Sequence, residues 1–79
     1  MNKIRGYRVM LGMRQKDMAR IFGITPQAYS MKERGLTAFT DKEKMIFMSL
    51  LKDVAKNETV ESIFFNHFKT KKDEVKEVI

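Results

Sequence analysis

Side chains that bind anions and form directed hydrogen bonds are concentrated in the first 35 residues. This segment holds eight of the 16 basic residues, including all five arginines, but only two of the 10 acidic residues, so it carries the whole formal charge of +6. It also holds the amide and hydroxyl side chains of Gln15, Thr25, Gln27 and Ser30. A cationic segment with such groups is typical of a surface that binds a polyanion, although it is also compatible with a solvated face that has no partner.

The composition argues against catalysis. The chain has no cysteine and a single histidine, His67, which excludes a thiolate metal site, a cysteine nucleophile and a zinc site built on paired histidines. No nucleophile–base pair, glycine-rich phosphate loop or carboxylate dyad is recognisable. We therefore expect no enzyme activity, no cofactor and no metal.

The length of 79 residues allows one small domain with a thin margin of stability. We interpret residues 1–68 as that domain and the mostly charged residues 69–79 as a tail that is frayed or weakly helical. No apolar run approaches the roughly 20 residues that cross a bilayer. The N-terminus lacks the apolar core of a secretory signal. We expect a soluble protein in the cytoplasm, without a membrane partner.

The spacing of apolar residues and the glycine breaks predict an all-α fold, a compact bundle of four to five short helices. Period-two alternation is nowhere sustained, so no strand is expected. The first three helices end at Gly12, Gly23 and Gly35. The predicted helices cover residues 3–11, 15–22 and 26–34, a fourth that opens with the capping box Thr40–Glu43, and a short fifth that starts at Thr59.

The connection between the second and third helices is the most informative unit. Only Gly23, Ile24 and Thr25 join them, and so short a linker makes the two helices cross at a steep angle. The small side chain of Ala19 lets their backbones approach near the turn. A steep helix pair on a basic domain is the geometry that presents its second helix to the major groove of DNA.

Residues 15–35, QKDMARIFGITPQAYSMKERG, resemble the helix-turn-helix of the Cro and phage-repressor family of XRE-like transcriptional regulators. The resemblance extends back to Arg8 and Leu11-Gly12-Met13 and covers roughly residues 3–66. It implies that residues 1–68 form a lambda-repressor-like DNA-binding domain. It also implies a phage or bacterial protein that works on the nucleoid of the host cell.

The third helix should present its outer face to the bases. With Tyr29 and Glu33 turned inward, the residues at i, i+3, i+4 and i+7 from Gln27 point outward. The amide of Gln27 is suited to bond an adenine edge in two places. The expected base contacts are Thr25, Gln27, Ser30, Met31 and Arg34, and the expected phosphate contacts are Arg14, Gln15, Lys16, Lys32 and Thr37.

The resemblance adds roles that spacing alone does not give. It implies that Gln15 bonds a phosphate at the start of the second helix, and that Arg8 pairs with Glu33. Two positions depart from the family pattern. Lys32 stands where an apolar residue is common, and Arg14 stands where a capping Ser, Thr or Asn is usual.

The remaining apolar residues are divided between core and interface. Tyr29 is expected in the core, Met18 and Met45 are expected to fill gaps there, and His67 is expected at the surface. The inner stripe of the fourth helix should comprise Phe47, Leu50, Leu51 and Val54.

The fourth helix is apolar almost all round, and one helix of a small domain cannot bury every side. We therefore expect a homodimer through this helix or through the C-terminal region, with added contributions from Ile21 and the segment Phe65–Phe68. The alternative is a helix wedged in the monomer core.

These patterns together indicate a sequence-specific DNA-binding transcriptional regulator, a Cro-like repressor without an effector domain. Double-stranded operator DNA would be its partner, read by the third helix in the major groove. The alternative is an antirepressor-type helix-turn-helix protein that binds a phage repressor protein. The scarcity of hydrogen-bonding groups on the third helix and the apolar fourth helix favour that alternative.

Overall fold

The computed structural model describes residues 2–65 and His67. The described residues form an all-α bundle of five α-helices and contain no strand. The predicted fold class is confirmed, and the first and third helices each end one residue earlier than predicted. The expected tail over residues 69–79 lies outside the described residues, as does Phe68. The helices are α1 (Lys3–Met10), α2 (Gln15–Phe22), α3 (Pro26–Glu33), α4 (Asp41–Leu51) and α5 (Val60–Phe64).

Side-chain caps start most of these helices. The Thr25 hydroxyl accepts from the Ala28 backbone N–H at 3.0 Å, and Pro26 follows at the first helical position, where no N–H is needed. Thr40 and Glu43 satisfy each other's backbone donors at 2.9 and 3.1 Å. These caps account for the close agreement between predicted and observed helix starts.

The core is built mainly from one or two residues of each helix. Tyr29 and Met18 are completely buried, as predicted. The core residues are Ile4, Met18, Ala19, Tyr29, Phe39, Phe47, Leu51, Ile63 and Phe64.

Phe39 lies in the loop between α3 and α4 and joins the aromatic side chains of several elements. Its ring centroid lies 5.3 Å from that of Phe64, 6.0 Å from that of Phe22 and 6.2 Å from that of Tyr29. Only 6% of Phe39 is exposed. Loop residues carry no helical periodicity, which is why the sequence pattern did not place this residue in the core.

Two core predictions for the fourth helix are wrong. Met45 is 66% exposed and Val54 is 50% exposed, whereas Phe47 and Leu51 are fully buried. Met45 precedes Phe47 by two residues and so lies on the opposite side of α4. Val54 lies beyond the end of the helix at Leu51, so the helical spacing no longer applies to it.

A polar cluster ties α1 to the start of α5. The carboxylate of Glu58 accepts hydrogen bonds from the hydroxyls of Ser62 and Tyr7 and an ion-pair contact from the Lys3 ammonium at 3.2 Å. The donors from Ser62 and Tyr7 lower the pKa of Glu58 to about 2, and Lys3 adds to this effect. The charged carboxylate therefore favours the folded state.

Within the described residues, none of the helices has the length and apolar character needed to cross a membrane.

Met18→Ala should cost about 2–5 kcal/mol in the free energy of unfolding, because it leaves a cavity in the core. The same substitution at the exposed Met45 should change it by less than about 0.5 kcal/mol. Urea unfolding of the two variants measures the difference. Equal losses would contradict the placement of Met45 at the surface.

Glu58→Gln should make stability less dependent on pH in the acid range. A carboxylate with a lowered folded-state pKa contributes stability above its unfolded value of about 4.5, and that contribution is lost as the pH falls towards 2. Thermal unfolding between pH 6 and pH 2 should show a shallower decline for this variant than for the wild type. Glu61→Gln, which removes an exposed charge on α5, is the matched control and should follow the wild-type profile.

Candidate nucleic-acid interface

The turn between α2 and α3 is closed by backbone geometry that only glycine adopts readily. Gly23 has a φ of 73° in the left-handed region, and the Ile24 N–H bonds to the Ala19 carbonyl at 3.0 Å. Ala19 is buried, and the rings of Phe22 and Tyr29 pack across the turn at 5.7 Å. Together these contacts fix α3 against α2.

The inner face of α3 is buried and the outer face is mostly exposed. Tyr29 and Glu33 are 0% and 2% exposed. Gln27 and Arg34 are exposed, Met31 is 40% exposed and Ser30 is half-buried. We call Gln27, Ser30, Met31 and the C-cap residue Arg34 the outer face of α3.

Most of the other residues predicted to contact DNA lie just before or just after this face in the sequence. Arg14 and Lys16, at the start of α2, are exposed, and the Arg14 guanidinium makes only a 3.6 Å contact with Asp17. Thr25 is exposed at the start of α3, where its hydroxyl serves as the cap. Thr37, in the loop after α3, is half-buried.

Arg14 stands at the N-cap position of α2 but its side chain makes no capping hydrogen bond. Instead the Asp17 carboxylate accepts from the Arg14 backbone N–H at 2.9 Å. This bond lowers the pKa of Asp17 despite a smaller opposing effect of burial. With no capping bond to make, the Arg14 side chain is 73% exposed.

Glu33 is the centre of a buried polar network that reaches α1 and α2. Its carboxylate accepts from Arg8 at 2.6 and 3.2 Å, from Gln15 Nε2 at 2.9 Å and from the Tyr29 hydroxyl at 2.7 Å. The side chains of Arg8 and Glu33 are only 11% and 3% exposed. We call Arg8, Gln15, Tyr29 and Glu33 the Glu33 network.

The protonation states in this network follow from its hydrogen bonds. Burial alone would raise the pKa of Glu33, but the donors from Arg8, Gln15 and Tyr29 outweigh it, so the pKa lies below its ordinary value. Burial and the bond to Glu33 raise the pKa of Tyr29. Glu33 is therefore a charged acceptor and Tyr29 a neutral donor at neutral pH.

Gln15 is half-buried and lies inside this network as well as at the first position of α2. A carboxylate can only accept, so the Gln15 amide nitrogen faces Glu33. One of its two N–H groups remains for another acceptor. The contact to Glu33 was not anticipated from the sequence.

Lys32 is engaged inside the protein rather than free for a phosphate. Its side chain is 15% exposed, and its ammonium lies 2.6 Å from Glu43 Oε1 at the start of α4. Burial alone would raise the pKa of Glu43, but the bonds from Lys32 and Thr40 lower it overall. The mostly buried lysine is thus accommodated by an ion pair. We do not retain Lys32 as a phosphate contact.

His67 is not the ordinary surface histidine that the sequence suggested. It is half-buried, its Nε2 donates to the Lys32 carbonyl at 2.7 Å, and its ring lies 5.8 Å from that of Phe39. The contact spans 35 residues of chain, and no local pattern signals it. Asn2, for which no role was predicted from the sequence, caps α1 and also donates to the Glu33 carbonyl of α3.

Glu33→Gln should cost about 3–5 kcal/mol in the free energy of unfolding at neutral pH, because it leaves the buried Arg8 without a counter-charge. Asp53→Asn, which neutralises an exposed carboxylate after α4, should cost less than about 0.5 kcal/mol. Urea unfolding at low temperature measures both values. A loss of similar size in the two variants would show that the Arg8–Glu33 pair contributes little.

Residues 4–43, which run from α1 into the first turn of α4 and span half of the chain, match the family model described as helix-turn-helix. No curated protein and no solved structure matches the chain significantly. The matched span includes the α2–α3 unit and the Glu33 network. The chain therefore belongs to the Cro and phage-repressor type of the helix-turn-helix family of DNA-binding regulators.

Proposed function

We propose that this protein is a sequence-specific transcriptional repressor of Cro type, which places α3 in the major groove of operator DNA. The observation that carries the proposal is the division of α3 into a buried inner face and a free outer face. Residues 1–68 would form the DNA-binding domain. The Glu33 network supports this role because it holds α3 against α1 and α2 without using the outer face.

Base recognition is assigned to the outer face of α3 and to Thr25. Gln27 is exposed at the second position of α3 and offers both an amide donor and an acceptor, which suits an adenine edge. Met31 offers an apolar contact for a thymine methyl group. Ser30 and Arg34 supply further hydrogen bonds to base edges.

Phosphate contacts are assigned to the start of α2 and to the loop after α3. Arg14 and Lys16 are exposed cations at the N-terminus of α2, where the helix dipole also favours an anion. The free N–H of Gln15 and the hydroxyl of Thr37 complete the set. None of these contacts reads the base sequence, and the two cations make the affinity depend on salt.

A homodimer would place two copies of α3 in successive major grooves about 34 Å apart, on a pseudo-palindromic site. Exposed apolar residues support a protein contact outside the DNA face. Met45 on α4 is 66% exposed and Phe65 after α5 is 71% exposed. Ile21, at 39%, is less exposed.

The same exposed apolar residues favour a second candidate, an antirepressor-type protein that binds a phage repressor through α4. Under that function the chain would co-purify with the repressor and would not bind DNA even at low salt. The cationic groups at the start of α2 favour the DNA-binding function over it.

Two alanine variants separate base recognition from phosphate binding. Gln27→Ala should lose about 1–3 kcal/mol of discrimination at one operator position. Arg14→Ala should weaken binding to all sequences alike and reduce the slope of log affinity against log salt by about 1. Electrophoretic binding to DNA that flanks the protein's own gene, at several salt concentrations, measures both effects.

Lys56→Ala is the control, because it removes an exposed cation after α4 and outside the α2–α3 unit. It should leave both specificity and salt slope close to wild type. If Gln27→Ala and Arg14→Ala bind as the wild type does, the residue assignments are wrong.

A further inference from the structure

The C-terminal turn of α3 is held by side chains from both ends of the described chain. Asn2 Nδ2 donates to the Glu33 carbonyl at 2.8 Å, across 31 residues. His67 Nε2 donates to the Lys32 carbonyl at 2.7 Å, across 35 residues. The last carbonyls of an α-helix have no partner within the helix and are usually satisfied by water or by the next few residues. Here distant side chains bond two of them, although the Lys32 carbonyl also accepts from the Gly35 N–H at 3.1 Å.

Asn2 uses both ends of its amide. Its Oδ1 accepts from the Arg5 backbone N–H at 2.9 Å, which caps α1, while its Nδ2 reaches α3. The amide thus links the first turn of α1 to the last turn of α3. A shift of either helix along its axis would break one of the two bonds.

His67 is fixed in a comparable way. Its ring lies 5.8 Å from the ring of Phe39, which packs against Tyr29 of α3. Because a carbonyl oxygen only accepts, Nε2 must carry the proton in this contact. The residue therefore connects the segment after α5 to the end of α3 through one ring contact and one hydrogen bond.

We propose that Asn2 and His67 are positioning residues for operator recognition, which fix the axial position and tilt of α3. This inference rests on the proposed function. Hydrogen bonds from Gln27 or Ser30 to a base edge require donor–acceptor distances of about 2.7–3.2 Å, so a small shift of α3 weakens them. Phosphate contacts by long, exposed cations such as Arg14 tolerate the same shift. Loss of the hydrogen bonds from Asn2 and His67 to α3 should therefore reduce specific binding to DNA more than non-specific binding.

The test uses variants that remove the hydrogen bond of Asn2 or His67 to α3 but keep the other contacts of that residue. Asn2→Ser retains a good N-cap for α1 but has no amide to reach Glu33. His67→Phe keeps an aromatic ring beside Phe39 but has no donor, and His67→Gln restores a neutral N–H donor. Thr59→Ala removes the side-chain cap of α5, in which the Thr59 hydroxyl accepts from the Ser62 backbone N–H, and serves as the control for lost stability.

The operator is first selected from random duplex DNA with the wild-type chain. The ratio of specific to non-specific affinity is then measured for each variant at a temperature where circular dichroism shows it folded. The ratio should fall between about threefold and tenfold for Asn2→Ser/His67→Phe. It should stay near wild type for Thr59→Ala, and His67→Gln should retain more of it than His67→Phe.

Each failure has a distinct meaning. If the wild-type chain selects no sequence, both the proposed function and the positioning role are wrong. If the wild type selects an operator but the double variant keeps its ratio within about twofold, or Thr59→Ala loses as much, only the positioning role is overturned. Should the double variant fail to fold, the two single variants give the same comparison.

Discussion

The position of α3 in the structure depends on one constraint, which is that the buried carboxylate of Glu33 must be paired and hydrogen-bonded. A charge that is almost fully removed from water is tolerated only when ion pairs and hydrogen bonds replace its hydration. Those partners come from α1, α2 and α3 itself, and they are Arg8, Gln15 and Tyr29. The position of α3 is therefore set by an electrostatic requirement as well as by packing. An apolar residue at the same place would fill the space without selecting one orientation of the helix.

The last turn of α3 extends this constraint to the rest of the molecule. Lys32 pairs with Glu43 of α4, and its carbonyl accepts from His67 after α5. Asn2 binds the next carbonyl from the start of α1. Elements from the whole described chain meet at two consecutive residues, while the outer face of the same helix makes few contacts. The helix is held through its buried inner face and its C-terminal turn. Substitutions on its outer face should therefore cost the fold little stability.

Much of this architecture was predictable because it is encoded locally. Helix starts follow from Thr25-Pro26 and from the Thr40–Glu43 box, and the turn follows from Gly23. The family resemblance supplied the Arg8–Glu33 relation. Predictions failed where a long-range contact decides the outcome. Phe39 enters the core from a loop, Lys32 is held by Glu43, and His67 bonds a carbonyl 35 residues away. Helical periodicity also misplaced Met45, because α4 is apolar on more than one side.

Under the proposed function, the composition of α3 makes its placement unusually important. Pro26, Ala28 and Met31 provide no strong hydrogen-bonding groups, and the Thr25 hydroxyl caps α3, so Gln27, Ser30 and Arg34 must carry the polar base contacts. A well-placed bidentate pair contributes about 1–3 kcal/mol of discrimination, whereas phosphate contacts contribute none directly. With few such pairs available, specificity is sensitive to the accuracy with which each one is presented. A network that fixes the end of α3 then has a functional consequence beyond stability, because it determines how much of that limited discrimination is realised.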